Sequence, residues 1–219
     1  MEMKTSNSVV YTVGHSTHSL ERFIGLLKMH SITALCDVRS QPYSRVNPQF
    51  NRELLKEQLW SNKIAYVFLG KEFGARSEDP SCYVNGKVQY ERIAQSASFK
   101  RGLERLIEGL KKYQIALMCA EKDPLSCHRS ILVSKHVANL GVNVHHILED
   151  GKIETQDDAL FRLVKKLHLP DQDIFRSTSE IISEAYRIQG ERIAHEEIAL
   201  KKSSQPEIKS DENLYHRLH

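Results

Sequence analysis

The densest chemistry in the chain lies in Met118-Cys119-Ala120-Glu121-Lys122-Asp123-Pro124-Leu125-Ser126-Cys127-His128-Arg129-Ser130. An apolar run precedes it and a stretch of helical period follows. A cysteine that ends a buried strand, followed by Cys-His-Arg-Ser at a helix start, sets thiols beside unpaired backbone N–H groups and the positive end of a helix dipole. Such surroundings favour a thiolate. Cys119 or Cys127 is therefore a candidate nucleophile, with His128 and Arg129 as stabilising cations and Glu121 as an acid or base. The competing reading makes Cys119 the last core residue of its strand and Cys127 an inert residue of the helix start.

Four arginines, Arg39, Arg45, Arg76 and Arg129, fall in segments that follow strands. Guanidinium groups gathered on one rim repel unless an anion or carboxylates neutralise them, and they suit bidentate phosphate or carboxylate. An anion site is the economical expectation, although Arg39 could instead pair internally with Asp37 or Glu121. His15 and His18 follow the first strand, where His15 is a candidate hydrogen-bonding residue or proton shuttle. Together with Cys119, Cys127 and His128 they could complete a zinc site, but Cys-x7-Cys-His is not a recognised finger spacing. No metal or cofactor is expected. Of the aromatic residues Tyr43, Phe50, Phe73 and Tyr83, the first two could stack on a base, while Phe50 before Asn51 equally suits a hydrophobic staple.

These residues need a frame that brings them together. Apolar runs at 9–13, 32–38, 64–69, 114–119 and 142–148 alternate with segments of helical period at 20–30, 51–60, 90–112 and 129–140. That alternation predicts βαβ units: a three-layer α/β/α sandwich with a mainly parallel sheet of about five strands. In such sheets the site lies beyond the carboxyl ends of the strands, which is where the residues above fall. Residues 70–87 read as a lid or an unstructured loop. Asp157–Leu167 reads as one more helix. Residues 1–170 form the expected α/β domain, and residues 171–219 a helical extension with a disordered tail. The helix over 178–202 has a thin apolar stripe that could pack on the body or on a second copy to form a homodimer.

The 219 residues are 40% hydrophobic and 27% charged, the balance of a soluble globular protein. The N-terminus lacks a secretory pattern and no run suits a bilayer, so a cytoplasmic protein without membrane contact is expected. Four scattered cysteines do not make a disulfide scaffold. Residues 1–170 hold 24 Lys and Arg against 18 Asp and Glu, and the remainder 7 against 10, so a +6 body carries a −3 tail. This suits an anionic ligand better than a dedicated nucleic-acid stripe.

The blocks GHSTHSLERFIGLL, DVRSQPYSRVNPQFN, LGKEFGAR and MCAEKDPLSCHRSILVSKH together resemble the family catalogued as domain of unknown function 488, over roughly residues 9–150. The resemblance implies a compact α/β domain with a rim site at Gly14, His15, Ser16, Asp37, Arg39, Arg45, Asn51, Cys119, Glu121, Cys127, His128 and Arg129. Gly74 and Arg76 match the family's Gly and Arg after the third strand, although Lys71-Glu72-Phe73 departs from the usual pattern. A looser likeness is to rhodanese-type and Cys-phosphatase domains, in which a strand ends in Cys and an Arg-Ser pair opens the next helix. Here ten residues separate Cys119 from Arg129, against about six in those families.

Three functional readings follow. The favoured one is an enzyme, a hydrolase or transferase with a reactive thiol, acting on a small or nucleotide-like anionic substrate. The second is a nucleic-acid-associated protein that uses the same arginines for backbone phosphate. The third is a non-catalytic interaction module.

Overall fold

The computed structural model describes residues 8–170 and 175–196. Its centre is a six-stranded sheet built from β1 (Val9–Gly14), β2 (Ala34–Asp37), β3 (Ala65–Phe68), β6 (Ile115–Cys119), β7 (Asn143–Ile147) and β8 (Ile153–Thr155), in the order β3-β2-β6-β1-β7-β8. All neighbours are parallel except β7 and β8. Every residue of β2 and β6 is buried, which explains why Ala-Leu-Cys-Asp and Ile-Ala-Leu-Met-Cys read as continuous rather than alternating runs.

Two apolar cores separate the layers. On one face, α1 (Leu20–Met29) and α2 (Arg52–Ser61) press Phe23, Leu26, Leu27, Leu55 and Leu59 against Val13, Leu35, Ala116 and Met118. On the other, α5 (Ala97–Leu110), α6 (Lys135–Asn139), α7 (Gln156–Lys166) and α8 (Thr178–Ile193) cover Val10, Cys36, Leu117 and Val144 with Phe99, Leu106, Val137, Leu163 and Ile181. A fully buried Phe or Leu of this kind contributes about 1.5–3 kcal/mol through lost contact with water. The expected three-layer α/β/α architecture is present. Among the described residues no helix is long and apolar enough to cross a membrane.

Several elements differ from the periodicity reading. The sheet has six strands, because β8 is a three-residue antiparallel edge strand too short to stand out. The expected helix over 90–112 is two, α4 (Tyr90–Gln95) and α5. Ser96 adopts an extended ψ of 148° between them and its side chain accepts the Phe99 N–H, so the apolar periodicity continues while the backbone restarts. The stretch 70–87 holds α3 (Gly70–Phe73) and a small hairpin of β4 (Tyr83–Val84) and β5 (Lys87–Val88). Residues Arg129–Ser134 form a π-helical turn before α6, with the Ser134 hydroxyl donating to the Arg129 carbonyl at 2.8 Å.

The helix expected over 178–202 ends at Ile193, where Ala194 turns extended. Its buried residues Ile181, Ala185 and Tyr186 pack into the body of the same chain. The expected tail disorder falls on residues outside those described.

Candidate functional site

The carboxyl ends of β1, β2 and β6 converge. His15 N–H donates to the Cys119 carbonyl and Ser16 N–H to that of Ala120, both at 2.9 Å, so the loops after β1 and β6 continue the sheet ladder for two more bonds. Ser16 has a φ of 47° to do so. Gly14 lets the loops touch: a Cβ there would lie 1.9 Å from the Glu121 carbonyl oxygen. Gly14 and Ser16 thus shape the rim through backbone rather than by presenting side chains to a ligand.

The two thiols meet at this point. Cys119 Sγ lies 3.7 Å and Cys127 Sγ 3.9 Å from His128 Nδ1, and the three atoms are all within 4.8 Å of one another. The other imidazole nitrogen, Nε2, donates to the Val38 carbonyl at 3.0 Å, which fixes the ring with Nδ1 toward sulfur. Cys119 hydrogen-bonds to Cys127, and that bond together with burial holds the Cys119 thiol well above its ordinary range. Burial opposes ionisation of Cys127 as well, but the Cys119 hydrogen bond and the Arg129 and His128 charges outweigh it and hold Cys127 well below the usual thiol range. Burial likewise opposes charge on His128, and the Cys127 thiolate overcomes it and raises the imidazole. These shifts favour negative charge on Cys127 and positive charge on His128, and disfavour ionisation of the Cys119 thiol beside them.

Arg129 supplies the charge behind this pair and is fully buried. Its backbone N–H donates to Cys127 Sγ at 3.4 Å, Nη1 to the Glu121 carbonyl at 2.6 Å and Nη2 to the Lys122 carbonyl at 3.1 Å. Among the described residues it pairs with no carboxylate, so the thiolate is its counter-charge. Its Nε begins a buried chain: Arg129 Nε donates to Thr12 Oγ1 (3.4 Å), Thr12 to His146 Nδ1 (2.7 Å), His146 Nε2 to Gln156 Oε1 (2.8 Å) and Gln156 Nε2 to the Tyr186 hydroxyl (2.8 Å). Burial and then the Arg129 charge push His146 down to about 3, which keeps it the neutral link this chain needs. The intervening loop is held from outside by Arg162, which bridges Asp123 and Glu154, and by Gln189, whose amide donates to the Leu125 carbonyl at 2.7 Å.

A polar cavity of about 330 Å³ opens over Cys119. Its walls include Cys119, Glu121 and His128 from the thiol loop, Arg39, Ser40 and Gln41 after β2, Arg76 after α3, and Ile193 and His195 from the C-terminal end of α8. Cys127 is not among them: Cys119 faces the cavity and Cys127 stands behind. Glu121 is exposed as a residue, yet its carboxyl folds back over the sulfurs. Burial of that carboxyl, and then the Cys127 charge, raise its pKa.

The four arginines do not form one cluster. Arg39 makes the internal pair: Nε and Nη2 reach both Asp37 oxygens at 2.9 and 2.6 Å, Nη2 also donates to the Phe50 carbonyl, and Tyr66 completes Asp37 at 2.8 Å. Asp37 is thereby a counter-ion and Arg39 reaches the cavity with most of its donors used. Arg129 lies beneath the cavity floor. Arg45 is exposed on the loop and lines no part of the cavity, and Asn51 holds that loop by accepting the Ser44 N–H at 2.7 Å. Arg76 is exposed at the cavity edge, steered by Gln41 Oε1 at 3.1 Å. The stretch from Cys119 to Arg129 is therefore no compact anion cradle, since Arg129 spends its donors on that loop's own carbonyls.

His15 donates from Nδ1 to the Ser16 carbonyl and receives Arg39 Nη1 on Nε2 at 3.3 Å. Burial pushes it down to about 4, so it is a neutral acceptor that orients Arg39 and has no free nitrogen for proton transfer. Phe50 is completely buried and stacks on His15 at 4.3 Å, which removes it as a platform for a base; Tyr43 is exposed and donates to Glu53. His18 takes no part in the thiol cluster. Three soft or borderline donors, Cys119, Cys127 and His128, could hold a divalent ion, with the Nε2–Val38 bond as the outer support such ligands use.

Sequence reasoning missed Ser40, Gln41, Tyr90, Ser126, Ile193 and His195 as cavity residues, and the Thr12–His146–Gln156–Tyr186 chain. Ser40 and Gln41 sit beside Arg39 in the loop quoted for the family resemblance, a signal that could have found them. Nothing in the local pattern marks His195.

An open, mostly parallel sheet whose central strand delivers a cysteine into a polar rim cavity defines an α/β domain with a thiol-centred candidate site. The chain belongs to the family described as Domain of unknown function DUF488, whose model matches residues 19–135. No curated protein matches the chain, and no solved structure does.

Proposed function

We propose that the protein is an enzyme that binds a small, anion-bearing substrate in the cavity over Cys119 and attacks it with the Cys119 thiol. The observation that carries this reading is that Cys119 opens into a polar, cationic-edged cavity while its proton is hydrogen-bonded to a thiolate stabilised by Arg129 and His128. Nucleophile and base are then the two sulfurs. As Cys119 Sγ bonds to the electrophilic centre, its proton passes to Cys127, and the departing group takes a proton from Glu121, whose carboxyl is biased toward the protonated form by burial and then by the Cys127 charge. Water or a second nucleophile would release the adduct, making the enzyme a hydrolase or a transferase. The cavity volume favours a small molecule over a nucleic-acid strand.

Alkylation by iodoacetamide, located by peptide mass spectrometry, tests this. Cys119, the thiol that faces the cavity, should be alkylated in the native protein ahead of Cys127 and Cys36, inorganic phosphate should slow it, and Arg76→Ala should weaken that protection. A Cys119 that does not react, or that phosphate leaves unaffected, would sink the reading.

The three-donor geometry favours one alternative, in which Cys119, Cys127 and His128 hold a zinc ion that activates water. One zinc per chain, and a sulfur-to-metal charge-transfer band after cobalt(II) substitution, would establish it. Metal-free protein with a reactive Cys119 would exclude it.

A further inference from the structure

The C-terminal end of α8 does more than cover the core. After Ile193, whose carbonyl accepts from the Tyr90 hydroxyl at 3.4 Å, the chain turns extended. The His195 carbonyl accepts the Val88 N–H at 3.0 Å, and Glu196 bridges antiparallel to Lys87 with an ion pair at 3.3 Å. This short arm pairs with β5 of the hairpin through a single antiparallel bridge. It also brings His195 to the boundary between the cavity over Cys119 and an adjoining cavity of about 590 Å³. The two share Ser40, Gln41, Arg76 and His195, so a ligand reaching from the thiol into the second space must pass between Arg76 and His195.

The donor inventory decides where an anion would sit. Arg129 is fully buried, lines no part of either cavity and turns Nε, Nη1 and Nη2 to Thr12 and the Glu121 and Lys122 carbonyls, and Arg39 is committed to Asp37, Phe50 and His15. Arg76, whose side chain donates to Gln41 Oε1, is an exposed cation at the junction, and His195 lines the same two cavities. Beyond them Tyr83, Pro80 and Gly86 wall the second cavity together with the polar groups of Ser77 and Glu78.

We propose that the substrate is an elongated phosphate- or carboxylate-bearing molecule of nucleotide size, its anionic group held between Arg76 and His195, its reacting atom over Cys119 and its polar ring in the second cavity against Tyr83. This deepens the proposed function and rests on it. His195 would be a substrate-contacting residue supplied by a segment outside the stretch that matches the family model.

Protection of Cys119 from iodoacetamide is the test, with inorganic phosphate and adenosine 5′-monophosphate as the two probes. In the full-length protein AMP should protect at a concentration at least about tenfold below that needed for phosphate. His195→Ala should raise both midpoints about tenfold, the weight of one charge-assisted hydrogen bond, with partial recovery in His195→Gln. Tyr83→Ala should raise the AMP midpoint alone, with thermal unfolding recorded to show that it is folded. Phosphate protection without any advantage for AMP, or midpoints unmoved by His195→Ala, would overturn this inference and leave the anion-binding thiol standing. Failure of both probes to protect would overturn both.

Discussion

Replacing Gly14 by alanine is the sharpest perturbation the structure offers. The new Cβ would lie 1.9 Å from the Glu121 carbonyl oxygen and 2.8 Å from its carbon, where ordinary contact begins at 3.4 Å. Backbone is met on both sides, so the loop after β6 must retreat by roughly 1.5 Å. That carbonyl accepts Arg129 Nη1 at 2.6 Å, and the next one accepts Nη2. Overpacking costs about 1–3 kcal/mol and weakening bonds to a buried charge about 1.5–3, so Gly14→Ala should lose about 3–5 kcal/mol. For a chain of this size that is a fall of about 10 °C or more in Tm. The control is Gly25, exposed in the middle of α1 with nothing within 4 Å of its virtual Cβ. Gly25→Ala should gain about 1 kcal/mol from helix propensity and raise Tm by about 2–4 °C. Calorimetry or urea unfolding would read both. A Gly14→Ala protein melting within 2 °C of wild type, or a destabilised Gly25→Ala, would refute the claim that Gly14 is retained for the close approach of these loops.

Stability should fall on acidification in a way two buried histidines set. His15 and His146 titrate near 4 and 3 when folded but at their ordinary 6.5 when unfolded, so the unfolded chain takes up protons first. Their contribution is intact above 6.5 and is lost as pH falls toward 4, at up to about 1.4 kcal/mol per pH unit for each; urea midpoints between pH 7 and 4 would show it, and His146→Gln should flatten the slope. Among the described residues the buried Ser130 hydroxyl has no partner, so Ser130→Ala should be neutral or stabilising by about 1 kcal/mol, measured by the same unfolding curves. Cys36 is buried in the core and lines no part of the cavity that Cys119 faces, so iodoacetamide at pH 8 should modify Cys119 in the native protein and Cys36 only after denaturant is added.

Much of this was readable from residue order. Fully apolar runs such as Ile115–Cys119 can only be central parallel strands, and their carboxyl ends locate the rim without coordinates. The thiol loop was legible for the same reason, because Cys119, Glu121, Cys127 and His128 are near neighbours in sequence. What was not legible depends on direction. Arg129 and Arg76 read alike as loop cations, yet one points inward to carbonyls and the other outward. Nothing in residue type separates them, since the orientation comes from the π-helical turn and from Gly14 allowing the loop in. Phe50 and His15 looked like rim groups, but 35 positions apart they stack on each other and close the space between α1 and the loop after β2. His195 was hidden by periodicity that continued past the true end of α8.

The hydrogen-bonded chain from Arg129 through Thr12, His146 and Gln156 to Tyr186 has a consequence for the order in which the molecule is made. Tyr186, Gln189, Ile193 and His195 all follow the sheet strands in sequence, yet they end the hydrogen-bonded chain behind Cys127, hold the loop between the thiols and wall the cavity. A nascent polypeptide that has completed the sheet through β7 still lacks these contacts around the thiols. The thiols therefore acquire their final surroundings only once α8 has docked on the finished sheet, so the order of folding runs from the strands to the site and not the reverse.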